Sequence, residues 1–207
     1  MTIQECKNKA FQLLNQYSIV GSSIPLTYND QADDNIRMIG LINDAMMEIA
    51  TVAKPITEFE SFEVPAIGFE IQTADIEHVM PPNIFQPICV RFLPAGGGPQ
   101  IMVEANKYKW LGDDTILVPN RPAGTYVVEY SRYPAQYTLT TNPNTRLDNT
   151  PDTHSIIPYY VAAMIALDDN TKAYYALYNV WETRLSRLNL KNPHATITQV
   201  EDVYNFF

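Results

Sequence analysis

The residues of this chain equipped for acid–base, nucleophilic or metal chemistry are few and scattered. His78, His154 and His194 are the only histidines, and none has another His or Cys at the close spacing from which a zinc site is built. Cys6 and Cys89 are equally remote, with no C-x-x-C pattern. Their spacing predicts two free, buried thiols of a reducing compartment. No G-x-S-x-G elbow presents a nucleophilic serine. The glycine cluster "AGGGP", residues 95–99, lacks the Lys-Ser/Thr of a phosphate loop and lies between two strand-like runs, so it reads as a hairpin turn. Asp33-Asp34, Asp113-Asp114 and Asp168-Asp169 each adjoin a turn or a helix start, where capping and solvation account for them better than catalysis or calcium. The expectation is a protein that is not an enzyme and holds no metal or cofactor.

Aromatic residues are the more pointed signal. Tyr174, Tyr178 and Trp181 follow helical spacing, which marks a core-facing stripe in preference to a stacking platform for a sugar or nucleobase. The terminal "VYNFF" is different, because nothing nearby in sequence can cover it. Val203, Tyr204, Phe206 and Phe207 either fold back on their own subunit or dock on a partner as aromatic anchors.

The elements that must position these residues change character along the chain. Ile3, Cys6, Ala10, Leu13, Leu14 and Tyr17 recur at steps of three and four, one face of a first helix over residues 2–17. After the break at Gly21 and Pro25, a second helix opens at Asn29 or Asp30 and carries Ile36, Ile39, Ile42, Met46, Ile49 and Ala53 as its stripe until Pro55. From residue 58 the pattern becomes short β-rich runs divided by turn formers: "FESFEVPAIGFEIQ", "QPICVRFLP", "PQIMVEA", "DTILVP" and "GTYVVEYSRYP". They predict a small antiparallel sheet or sandwich, with a β-turn between Trp110 and Ile116 and a short helix near "TADIEHVM". A polar linker, residues 134–152, leads back to helical sequence. There the stretch 156–167, with Pro158 in its first turn, is apolar almost all round and predicts a buried central helix. A last helix, capped by Asp169 or Asn170, presents Tyr174, Leu177, Tyr178, Trp181, Leu185 and Leu188, while Lys172, Glu182, Arg184 and Arg187 lie largely off that stripe. So short a connection makes the pair an antiparallel hairpin.

The fold expected is therefore α+β: a bundle of about four helices interrupted by an inserted small antiparallel β module, with an extended C-terminal tail. Residues 1–57 and 151–190 would form the helical core, 58–150 the β module and linker, and 191–207 the tail. At 207 residues, 46% hydrophobic and 18% charged, the chain can bury one good core and a small inserted module. Its 13 Tyr suit interfaces, and its 15 Pro imply many rigid turns. A net charge of −9 with 14 scattered Lys and Arg leaves no basic stripe for phosphates, so sequence-specific DNA binding is not expected, although an acidic wall suits DNA that must slide past. The N-terminal "MTIQECKNKAFQLL" is not read as a targeting segment, and no apolar run is long enough to span a bilayer, so a soluble protein without a membrane partner is expected.

The order helix, helix, β insertion and then "DNTPDTHSIIPYYVAAMIALDD", residues 148–169, leading into an aromatic-bearing helix resembles the head-to-tail connector adaptors of tailed bacteriophages. Asp148, Pro151, Ile157, Pro158, Tyr160, Ala162, Ala163, Asp168, Asp169, Trp181 and Leu188 carry the likeness, and "DDNIRMIGLINDAMMEIA" fits the family's early helix. The resemblance implies a structural virion protein, made in the host cytoplasm and placed in the neck at the portal vertex. It implies a homo-oligomeric ring of about twelve subunits beneath the portal. Such a ring extends the DNA channel, passes DNA without reading its sequence and docks tail or tail-completion proteins. Ile157, Pro158, Tyr160, Met164, Tyr174, Trp181 and Leu185 would be the rigid scaffold of each subunit, and the Val203 to Phe207 tail the portal anchor. Another neck or tail structural protein, or a carbohydrate-binding module using Trp110, are the alternative readings.

Overall fold

Thr2 and Glu5 open the first helix with a reciprocal pair of bonds: the Glu5 N–H donates to the Thr2 hydroxyl at 3.2 Å, and the Thr2 N–H donates to the Glu5 carboxylate at 2.9 Å. This capping box satisfies two of the donors that a helix start leaves without partners. The computed structural model describes residues 1–16, 32–65, 76–112, 114–118 and 123–190. It divides them into two compact units, Met1–Lys54 with Pro134–Phe207, and Pro55–Tyr133.

The first unit is helical. Helix α1, Ile3–Gln16, buries Ile3, Cys6, Ala10, Phe11, Leu13 and Leu14. Helix α2, Ala32–Glu48, runs into a wider turn over Ile49–Ala53, where the Thr51 hydroxyl donates to the Met47 carbonyl, before the chain becomes extended at Lys54. Its buried row is Met38, Ile42, Ala45, Met46 and Ile49. Ile36, expected in that row, is instead 51% exposed, because the core lies on the side marked by Met38. Helix α3, Ile157–Asp169, has Pro158 in its first turn, and α4, Thr171–Leu190, follows after Asn170. The Asn170 side chain accepts the Ala173 N–H at 3.1 Å, the N-cap bond that the sequence foresees there. Helix α3 packs against α1, α2 and α4 alike, which explains why its sequence is apolar on nearly every side.

Residues 134–150, read from sequence as a linker belonging with the insertion, are part of the helical unit. Backbone bonds stitch them to the start of the chain: Ile3 N–H to Thr145 O at 3.0 Å, and Leu147 N–H to Met1 O at 3.0 Å. Tyr137 and Leu147 lie in the helical core. Two core side chains with no regular period between them are a pattern that periodicity cannot detect.

Among the described residues, the second unit holds seven strands in two antiparallel sheets. Strands β1 (Ile56–Val64), β7 (Gly124–Arg132), β3 (Ile84–Pro94) and β4 (Ile101–Val103) form one sheet in that order. Strands β2 (Ile76–Val79), β6 (Thr115–Val118) and β5 (Lys109–Leu111) form the other. Phe62, Val64, Val90, Tyr126, Val128 and Tyr130 of the larger sheet share a core with Ile116 and Val118 of the smaller, so the unit is a small sandwich. The segment read as a short helix near residues 73–80 is strand β2 over Ile76–Val79, paired with β6 from Ile76↔Val118 to Val79↔Thr115. Pro81 and Pro82 directly downstream disfavour a helical continuation, and a ready partner strand decides the matter. The β5–β6 hairpin pairs Trp110 with Ile116, with Gly112 at φ 66° in its turn. The fold is thus four helices with an inserted antiparallel β module, an α+β architecture. The tail, residues 191–207, lies outside the described residues.

Candidate functional site

The described histidines and cysteines stay apart, and their contacts are structural. The His154 ring is buried in the helical unit: one nitrogen, Nε2, meets the Asn149 carbonyl at 2.7 Å, and Nδ1 lies 3.0 Å from the Met1 nitrogen. Burial, opposed in part by the Asn149 bond, holds its pKa below the ordinary histidine value. His78, on β2, stacks on Phe62 with ring centroids 4.4 Å apart and lies 3.6 Å from the Glu60 carboxylate. His194 lies outside the described residues. Both described cysteines are free. The Cys6 thiol is pushed up to about 12 by burial among apolar side chains, which removes its nucleophile at neutral pH. Cys89 is only half-buried, against the expectation of a buried thiol, and donates to the Glu129 carboxylate at 3.4 Å. Among the described residues no group of three His, Cys, Asp or Glu is placed to hold a metal.

The acid pairs fall at turns or helix ends. The Asp114 carbonyl accepts the Met80 N–H at 2.6 Å and its carboxylate accepts the Thr115 hydroxyl at 3.1 Å. The side chains of Asp33, Asp113, Asp168 and Asp169 lie outside the described residues. The 95–99 loop joins β3 to β4, with Gly97 at φ 79°, so it is a hairpin connection. Trp110 packs against the sandwich core.

The scaffold residues do come together. Ile157 and Trp181 are wholly buried, Pro158 and Leu185 are buried, and Tyr160, Met164 and Tyr174 pack half-buried around them. Tyr160 meets Trp181 at 5.1 Å between centroids, at a tilt of 54°. Arg37 of α2 donates to the Met164 carbonyl at 3.2 Å. Small residues on α3, Ala162, Ala163 and Ala166, are buried and let the helices approach closely. The result is an interlocked helix hairpin. Val203, Tyr204, Phe206 and Phe207 lie outside the described residues.

Sequence reading did not separate the two flanks of α4, although their spacing holds the signal. On one side of the buried row Tyr174, Tyr178 and Glu182 recur every four residues, with Tyr174 and Tyr178 stacked at 5.4 Å. Asp44 and Glu48 of α2 adjoin this side. Burial first, and the Glu182 charge second, raise the Glu48 carboxyl above its usual range. Burial and these same carboxylates raise the hydroxyls of Tyr160 and Tyr178. On the other side Asn179, Val180, Thr183, Arg184 and Arg187 line an open cleft of about 310 Å³. The Arg184 guanidinium lies over the Tyr159 ring, 4.4 Å from its centroid.

The β unit has an outer sheet face of mixed character. Phe59 (58% exposed) and Met102 (67% exposed) flank an Arg91–Glu129 ion pair of 2.7 Å. No described helix is long and apolar enough to cross a membrane.

No protein-family model matches the chain, and no curated protein matches it significantly.

Proposed function

We propose that the chain is a structural adaptor of the head-to-tail connector of a tailed bacteriophage, forming a ring beneath the portal and docking tail or tail-completion proteins. The observation that carries this reading is the chain order of the fold: two helices, an inserted β sandwich, and a closing helix hairpin whose first member is the centre of the bundle. That is the order the connector resemblance implies. A helical body with few internal degrees of freedom suits a ring subunit, since ring closure demands that each copy repeat the same rotation. The aromatic tail from Val203 to Phe207 is the portal anchor, and the exposed apolar residues of the outer sheet face are open to neck or tail partners.

Native mass spectrometry of the full chain, alone and with the portal protein of the same virus, tests the proposal. A ring, or a monomer that adds to the portal in about a dozen copies, supports it. Absence of association in both samples overturns it. Removal of residues 193–207 should abolish portal binding, and a truncated chain that binds the portal as tightly as the intact one rules out the anchor.

A further inference from the structure

We infer that the two flanks of α4 recognise each other between copies: the cleft containing Arg184 and Arg187 of one molecule receives the edge formed by Asp44, Glu48 and Glu182 of the next. The inference rests on the adaptor reading and names the contact that would join its subunits.

Three observations support it. First, both surfaces are charged and, among the described residues, neither is given an opposite charge. Among the described residues Arg184 and Arg187 meet no carboxylate, and Asp44, Glu48 and Glu182 meet no Lys or Arg. Arg37, higher on the same side of α2 as Asp44, is engaged by the Met164 carbonyl. In a chain of net charge −9, a cationic cleft lined also by Asn179 and Thr183 fits an acidic partner, and a second copy supplies one.

Second, the acidic edge is bordered by Tyr174 and Tyr178, amphipathic side chains of the kind that fill interface centres. Half-buried Glu48 has lost water without gaining a cation, a state that an incoming guanidinium would relieve. Third, the flanks lie on opposite sides of the buried row Ala173, Leu177, Trp181 and Leu185. A molecule using one flank therefore leaves the other open. Such a contact is heterologous: it propagates head to tail and closes into a ring when the rotation permits.

The test uses the exposed members of each flank, Arg187 and Glu182, so that folding is not at stake. Arg187→Glu and Glu182→Lys chains are compared with the unaltered full chain by sedimentation velocity at low salt, alone and on the portal. Each variant alone should lose assembly by about tenfold or more, since like charges then meet across the contact. Mixed in equal amounts, the two variants should assemble again, because in an alternating arrangement every contact joins opposite charges. Unchanged assembly of both single variants overturns this contact and leaves the adaptor reading standing. No assembly of the unaltered chain, alone or on the portal, overturns both. Binding of a labelled DNA duplex that Arg187→Glu abolishes, with assembly unaffected, would make the cleft a phosphate site and overturn the inference in favour of nucleic acid.

Discussion

Asn43 shows how much a single side chain holds in this molecule. Its amide nitrogen donates to the Tyr137 carbonyl and its oxygen accepts the Tyr137 N–H, both at 2.9 Å, so one side chain completes the backbone of an irregular segment as a neighbouring strand would. The Tyr137 hydroxyl in turn donates to the Arg146 carbonyl at 2.8 Å. Asn43→Ala removes both of these bonds from the Tyr137 backbone, and denaturant unfolding should show a loss of about 1–3 kcal/mol. His154 makes a second prediction at this scale. Its folded pKa lies below the unfolded value of about 6.5, so the unfolded chain takes up the proton first. The stability this group confers is complete above that value and is lost as pH falls through it towards the lower folded value. Thermal unfolding from pH 7.5 to 5.5 should show the decline, and His154→Gln should flatten it whatever its absolute stability. Neither residue announces its role in sequence. A lone histidine and an asparagine inside a helix carry no periodic signal, and their partners lie 5 and 94 residues away.

Among the elements, legibility followed the strength of the period. Helices α1 and α4, and α2 apart from Ile36, were readable from stripes at three- and four-residue steps, whereas α3 was readable from an apolar run because it meets helices on several sides. Strands β1, β3, β4, β6 and β7 were readable from β-branched and aromatic runs. Strands β2 and β5 were not, because four and three residues are too few for alternation to outweigh local propensity. The burial of Ile157, Trp181 and Leu185 in the α3–α4 hairpin was legible for the same reason as the hairpin itself. The charged flanks were not, since the sequence shows that a residue is off the apolar stripe before it shows which neighbour it faces. Gly124, where β7 begins, gives the element-scale prediction. A Cβ there would sit 2.3 Å from the Leu93 carbonyl oxygen and 2.6 Å from the Phe92 ring, against the strand it pairs with. Gly124→Ala must therefore displace the β3–β7 register at Pro94↔Gly124, and the cost should be about 1–3 kcal/mol in urea unfolding. An unchanged midpoint would show that the strand end yields without loss.

At the scale of the whole molecule, the two places where the chain leaves and re-enters the helical unit are tied to one short segment. Lys54, the last residue before the β unit, forms an ion pair with Asp152, and that contact is the main reason the Asp152 carboxyl sits below its usual range. Ala135, next to the re-entry point, donates its N–H to Asp148 at 2.7 Å. Both ends of the insertion are thus anchored within residues 148–152, and both anchors belong to the helical unit. Each unit also has its own core, with no residue shared between the two clusters. A module whose ends are held close together by its host can be replaced by a short link at small entropic cost, because loop closure depends only weakly on length. Replacing residues 55–133 with a short Gly-Ser link should therefore leave a helical protein that unfolds cooperatively and keeps near-UV signals from Trp181. Loss of that cooperativity would mean that the helical core depends on the insertion. If the cooperativity persists, the same shortened chain assigns the assembly surface: retained self-association places it on the helical unit, where the flanks of α4 lie, and lost self-association places it on the β module.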